Sequence, residues 1–188
     1  MRKTIFAGLV LALAAALVMW LSAIWDLELE SVVLLGAAVG AVVALVPDRT
    51  PRFRFLGFAA GFLVTWVGYA IRALWLPDTD GGRAVAVGLI LLLCVAVFAA
   101  SAGRLPLWST LLGAAALSGG YEYTYAAAPP EMASTSVSAA TSLLFCLAVG
   151  YLVAATVAPQ AGAVPSRPRS RDEDLDNTSF DELMEKTK

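Results

Sequence analysis

Six long runs of apolar residues, separated by short polar segments, organise most of the chain. Their approximate bounds are 4–25, 31–46, 56–76, 84–101, 107–123 and 137–157. A helix needs about 20 apolar residues to cross the hydrocarbon core of a bilayer, and somewhat fewer where the bilayer thins. The runs lack the alternation of barrel strands, and backbone groups in lipid must be paired within their own segment. The sequence therefore predicts an all-α, polytopic integral membrane bundle of six transmembrane helices within residues 1–158.

Short connections between the runs predict three sequential helical hairpins, and the charged residues predict their orientation. Basic residues flank one set of ends: Arg2, Lys3, Arg49, Arg52, Arg54, Arg104, Arg167, Arg169 and Arg171. Acidic residues flank the other set, where Arg83 is the one clear cation: Asp26, Glu28, Glu30, Asp78, Asp80, Glu122 and Glu131. Because loops rich in Lys and Arg stay in the cytoplasm, we expect a multi-pass protein of the cell membrane with both termini cytoplasmic.

The first run permits a second interpretation, as a cleaved signal peptide. It begins with Arg2 and Lys3 and continues into an apolar core. That core is longer than in a usual signal peptide, and the bulky Leu21 in "LSA" disfavours cleavage. We therefore expect a retained first helix, whereas cleavage would leave five spans and an external N-terminus.

Composition narrows the chemistry that is open to the chain. Of its 188 residues, 59% are hydrophobic and 15% are charged, against roughly 25% charged in soluble domains. There is no histidine, which removes the commonest general base and zinc ligand. Cys94 and Cys146 lie in separate apolar runs, and no GxxxxGK[ST] phosphate loop occurs. We therefore predict a protein that is not an enzyme, holds no cofactor or metal, and binds no nucleic acid.

Small residues mark the faces along which helices in lipid pack. In the second run Gly36 and Gly40 are one helical turn apart, and in the third Gly57, Gly61 and Gly68 share a stripe that also contains Arg72. Packing within the bundle is the simpler interpretation of these faces. They are equally compatible with a homo- or hetero-oligomer, because such motifs also form dimer contacts.

Arg72 and Glu122 lie inside predicted helices, close to the ends that acidic residues flank. Arg72 either extends to the outer interface or contributes to a polar site, with Glu122 or Asp78 as its partner. The hydroxyls of Ser138 and Ser142 share one face of the sixth run, and they either line the same outer site or bind helix backbone.

The stretch "SGGYEYTY" surrounds Glu122 at the end of the fifth run. We expect Gly119 and Gly120 to loosen the helix as it reaches the outer headgroups. The tyrosines are expected to be interfacial anchors.

The predicted cytoplasmic tail, residues 159–188, differs in composition from the rest. A Pro- and Arg-containing linker precedes an acidic segment, and we expect most of it to be disordered. Near its end a capping box from Ser179 to Glu182 precedes Leu183 and Met184, which with Phe180 would form one apolar face. A short helix over 179–186 is therefore a candidate for docking into a partner.

Two functions follow from these patterns. The first is a non-enzymatic accessory or scaffold subunit, embedded in the lipid bilayer, that recruits a cytoplasmic protein through its tail. The alternative is a small-solute or ion transporter or channel with an outer-facing polar site. Deletion of residues 165–188 discriminates between them, because only the scaffold depends on that segment.

Overall fold

The computed structural model describes residues 2–25, 29, 31–77 and 79–157, with the backbone alone at residues 2–4, 7, 25 and 157. In this part of the chain every regular element is helical, which confirms the predicted fold class at that level. The elements are α1 (Arg2–Trp25), α2 (Val33–Leu45), α3 (Pro51–Trp75), α4 (Asp80–Ala100), α5 (Leu107–Ala127), a 3₁₀ turn (Pro129–Glu131) and α6 (Met132–Val157). The tail, with Phe180, Leu183 and Met184, lies outside the described residues.

Among the residues that the structure describes, three helical segments are long and apolar enough to cross a membrane, which indicates a membrane protein. They are Pro51–Trp75, Asp80–Ala100 and Pro129–Thr156. Shorter apolar stretches, Gly8–Ile24 and Val33–Leu45, occur in α1 and α2. The fifth helix is less apolar, because its C-terminal third carries Glu122 among threonine and tyrosine residues.

Local chemistry extends several helices beyond the predicted runs. α3 begins at Pro51, five residues before the predicted bound, because proline suits the first turn, where its missing N–H is not needed. α4 begins at Asp80, where the Thr79 side chain accepts a hydrogen bond from the Gly82 N–H at 3.2 Å. It ends before Ala102 and Gly103, which have φ of 51° and 71°.

The expectation that the fifth helix loosens at Gly119 and Gly120 is wrong. α5 continues through both glycines to Ala127. Gly119 lies against Leu35, and Gly120 lies against Val32 and Leu143. These glycines therefore serve the packing of α5 onto α2 and α6 rather than the end of the helix.

The most extensive helix contacts join α2 to α6 and α3 to α5. Both rest on backbone contact at a glycine: a Cβ on Gly40 would clash with the carbonyl oxygen of Leu147, and a Cβ on Gly61 with that of Thr110. The remaining predicted packing glycines also face other helices: Gly36 lies against Cys146, Gly57 against Ser109 and Gly68 against Ile90. Small residues thus let two pairs of helices approach closely.

These two closest pairs consist of parallel helices. Along α3 and α5, contacts advance in the same direction, from Gly57 beside Ser109 to Tyr69 beside Glu122. α4 runs the opposite way along α3. The tightest pairs are therefore not the sequential hairpins that the short loops predict. The helices of those hairpins contact each other less extensively.

Arg54 is buried in the first turn of α3, although its sequence position predicts a loop cation. Its Nη1 donates to the carbonyl oxygens of Val43 at 2.8 Å, Ala44 at 3.1 Å, and Val46. These carbonyls at the end of α2 have no partner inside their own helix, and a guanidinium is suited to bind several of them. Arg54 therefore joins the end of α2 to the start of α3.

The backbone contact at Gly61 predicts a specific stability effect. We expect Gly61→Ala to lower the free energy of unfolding in detergent by about 1–3 kcal/mol, because the added methyl group separates α3 from α5. Gly88→Ala is the matched control, since Gly88 is also helical and has open space at its Cβ position. Equal effects of the two substitutions, measured by reversible denaturation, would contradict this account.

Candidate binding site at the C-terminal ends of α3 and α5

Parallel packing brings the C-terminal ends of α3 and α5 together, and α4 begins beside them. Four side chains from α3 and α5 form what we term the Arg72 cluster: Tyr69, Arg72, Glu122 and Tyr125. Arg72 Nη1 lies 2.9 Å from Glu122 Oε1 and 3.1 Å from Oε2. The Tyr69 hydroxyl donates to Glu122 Oε2 at 2.5 Å. One carboxylate therefore binds two side chains of the neighbouring helix.

The two charged partners of the cluster differ strongly in burial. The side chain of Arg72 is 6% exposed, whereas that of Glu122 is 49% exposed. The guanidinium also lies 4.5 Å from the centroid of the Tyr125 ring, within the range of a cation–π contact. Arg72 is thus the anchored member of the pair, and Glu122 is the one that reaches the surface.

Tyrosine rings in edge-on and tilted contact connect the cluster to α6. The Tyr69 ring lies 5.2 Å from that of Tyr121 and 5.0 Å from that of Tyr125. The Tyr121 hydroxyl donates to the Met132 carbonyl at 3.2 Å and shares a 2.7 Å hydrogen bond with the Thr135 hydroxyl. Buried tyrosine hydroxyls need such partners.

The prediction that the tyrosines near Glu122 are interfacial anchors is therefore wrong for two of them. Tyr121 and Tyr125 are 0% and 2% exposed, whereas Tyr123 is 91% exposed. Residues four apart on a helix share a face, so Tyr121 and Tyr125 point together into the bundle and Tyr123 points away.

A cavity of about 380 Å³ lies beside the Arg72 cluster, between α3, α4 and α5. Its polar lining comes from Tyr69, Arg72, Arg83, Ser118 and Glu122. Its apolar lining comes mainly from Gly68, Ala86, Val87 and Ile90. The lining therefore includes two arginines and one glutamate beside an apolar wall.

The structure brings together some of the predicted outer-site residues but not all. Arg72 and Glu122 meet and line the cavity, whereas Ser138 and Ser142 are not among its lining residues. Asp78, the other partner considered for Arg72, lies outside the described residues. On α6 the buried hydroxyl is that of Ser136, which accepts a hydrogen bond from Trp66 Nε1 at 3.0 Å.

Sequence reasoning missed the contributions of Tyr69, Tyr125, Arg83 and Ser118. One available signal was spacing: Tyr69 precedes Arg72 by three residues, and Tyr125 follows Glu122 by three. Residues at this spacing are neighbours on one helix face. Arg83 and Ser118 carried no comparable signal, since their positions in the cavity depend on how α4 and α5 pack.

The described lining residues provide charge and hydrogen bonds rather than a metal centre. No group of three His, Cys, Asp or Glu side chains that could hold a metal ion occurs in the described part of the chain. A guanidinium has several N–H donors, so an arginine that already binds one carboxylate can bind a further acceptor. The arrangement can therefore hold a small molecule that carries an anionic group.

Comparisons with family models, with curated proteins and with solved structures find no match for this chain.

The unequal burial of Arg72 and Glu122 predicts unequal effects on stability. We expect Glu122→Ala to lower the free energy of unfolding by about 2–3 kcal/mol, because it removes a carboxylate from a buried guanidinium. Arg72→Met should cost about 1 kcal/mol, because the half-exposed carboxylate that it leaves can be hydrated.

A double-mutant cycle in detergent checks this asymmetry. The variant with both substitutions should be more stable than the sum of the single effects implies, since the two losses share one interaction. Glu131→Ala is the control at the same end of the bundle, where we expect little change. A larger loss from Arg72→Met than from Glu122→Ala would contradict the burial argument.

Proposed function

We propose that the chain is a six-span protein of the cell membrane, with both termini in the cytoplasm, that binds a small anionic solute at its outer end. The observation that carries this proposal is the cavity beside the Arg72 cluster, with its apolar wall and convergent polar groups. Ligand sites typically have this composition and volumes of about 300–1,000 Å³.

The helix directions support the six-span topology. α3 and α5 run parallel, and α4 runs opposite to α3, as helices that cross a membrane in alternation must. The Arg72 cluster then lies at the end where the loops are acidic, whereas Arg54 lies at the end where they are basic. The positive-inside rule puts the acidic end, and hence the cavity, on the outer side.

The hydrogen bonds of Glu122 support binding rather than catalysis. Its two oxygens accept from Arg72 and Tyr69, so the carboxylate is held in place by two side chains of α3. Farther along the same two helices, α3 contacts α5 backbone to backbone at Gly61. A path between these two helices is closed in the described conformation, which favours binding over transport.

A cysteine at the cavity provides a direct test of its access and charge preference. Ser118→Cys should react in intact cells with a membrane-impermeant methanethiosulfonate. The anionic sulfonatoethyl reagent should react about three- to tenfold faster than the cationic trimethylammonium reagent, because charged clefts concentrate ions of opposite sign. Arg83→Gln should reduce this preference.

Two controls isolate the cavity. Ser138→Cys places an exposed thiol on α6 outside the cavity and should show no preference of this kind. The native Cys94 and Cys146 are 0% and 1% exposed and should contribute little labelling. Failure to label the Ser118→Cys variant from outside, or equal rates for the two reagents, would refute the proposed outer anion site.

A scaffold function through the tail is a second proposal, which the sequence of residues 179–186 favours. The capping box and the apolar face of Phe180, Leu183 and Met184 fit a short helix that folds in a partner's groove. Such a function is compatible with a solute site in the bundle.

Removal of the tail separates the two proposals. Deletion of residues 159–188, and substitution of Phe180, Leu183 and Met184 by serine in the full chain, should both abolish crosslinking of a cytoplasmic protein to the tail region. When either change is combined with Ser118→Cys, the labelling preference of the introduced thiol should not change. A crosslinked partner that is retained in the serine variant would exclude docking through this apolar face.

A further inference from the structure

We infer that the molecule bound in the cavity is an amphiphile: a phosphate-bearing lipid headgroup at the arginines, with its chain against the apolar wall. This inference rests on the proposed function and specifies the class of ligand. It is carried by the distribution of polar and apolar groups along the cavity and by the exposure of one of its walls.

The polar and apolar groups of the cavity lie at different depths. On α3, Gly68 is one turn before Arg72, about 6 Å farther from the helix end. On the antiparallel α4, Ile90 lies two turns beyond Arg83, and it packs against Gly68. The cavity is therefore charged at the outer end and apolar towards the middle of the helices, as a lipid that enters from the outer leaflet requires.

One wall of the cavity is also part of the outer surface of the bundle. α4 is the least buried of the three long apolar segments. Val87 lines the cavity and is nevertheless 58% exposed. In a membrane this face of α4 is in contact with lipid, so a chain can enter sideways between α4 and the α3–α5 pair.

The two halves of the cavity select a ligand that has both parts. Phosphate oxygens are suited to the N–H groups of Arg72 and Arg83, and this chemistry is shared by a lipid headgroup and a free phosphate. Only the lipid also covers the apolar wall, and each CH₂ that it buries there strengthens binding about fourfold.

Equilibrium binding to the purified full chain in detergent tests this inference. The probe is radiolabelled dioctanoylphosphatidylglycerol, competed with glycerol 3-phosphate, inorganic phosphate or dioctanoylglycerol. We expect the phospholipid to bind at least about tenfold more tightly than each of the three, because each competitor lacks one half of the ligand.

Matched variants locate the binding in the cavity. Val87→Trp should weaken phospholipid binding about tenfold or more by filling the apolar half, whereas Val85→Trp should not. Val85 is on the same helix and is equally exposed, at 59%, but it does not line the cavity. Arg83→Gln should weaken binding, and Arg104→Gln, in the loop at the opposite end, should leave it unchanged.

The outcomes that overturn the inference are distinct from failure of the proposed function. Competition by inorganic phosphate at the same concentration as the phospholipid would establish a free anion as the ligand. Equal competition by dioctanoylglycerol would show that the headgroup does not contribute to binding. Equal effects of Val87→Trp and Val85→Trp would show that the lipid binds outside the cavity. If no probe binds while the Ser118→Cys variant still prefers the anionic reagent, the lipid inference falls and the outer anion site stands. Loss of that preference refutes both.

Discussion

The backbone contact between α3 and α5 at Gly61 determines which polar side chains meet farther along the two helices. Because a side chain larger than hydrogen does not fit there, the two parallel helices have one close register. That register places Tyr69 and Arg72 opposite Glu122 two to three turns farther along. The ion pair depends on this register, because the buried Arg72 side chain is held where α3 packs and meets this carboxylate only when α5 presents Glu122 opposite it.

Towards the C-terminal ends of α3 and α5, bulky side chains rather than glycine lie between the helices. The cavity lies in this region. The rings of Tyr69, Tyr121 and Tyr125 fill the space between α3, α5 and α6 in edge-on and tilted contact. On the other side of α3, Gly68 admits Ile90 of α4. Towards the helix ends the larger Arg72 and Arg83 line the gap that remains. The cavity and the Arg72 cluster are therefore products of the same packing.

Much of the fold could be predicted from local patterns, whereas the helix partners could not. Six helices follow from six apolar runs, and the stripe from Gly57 to Arg72 identifies the face of α3 that packs. The pairing of α2 with α6 depends on how Gly40 meets Leu147, a contact between distant residues that one sequence does not reveal. The burial of Tyr121 and Tyr125 does not follow from the sequence, because tyrosine suits both a lipid interface and a buried site with a hydroxyl partner. The position of Arg54 inside α3 does not follow either, because helices can begin within a polar segment when proline is in the first turn.

The unequal exposure of Arg72 and Glu122 reconciles a structural role with the proposed binding role. A fully buried ion pair would oppose an incoming anion, because the displaced carboxylate would be left without water. Here the arginine is 6% exposed and stays fixed, whereas Glu122 is 49% exposed and can be hydrated if a ligand takes over part of its hydrogen bonding. The Tyr125 ring lies against the guanidinium and the Tyr69 hydroxyl binds Glu122, so each charged group also has a contact outside the ion pair. Under the proposed function, the same arginine docks α3 to α5 and also binds the anionic group of the ligand.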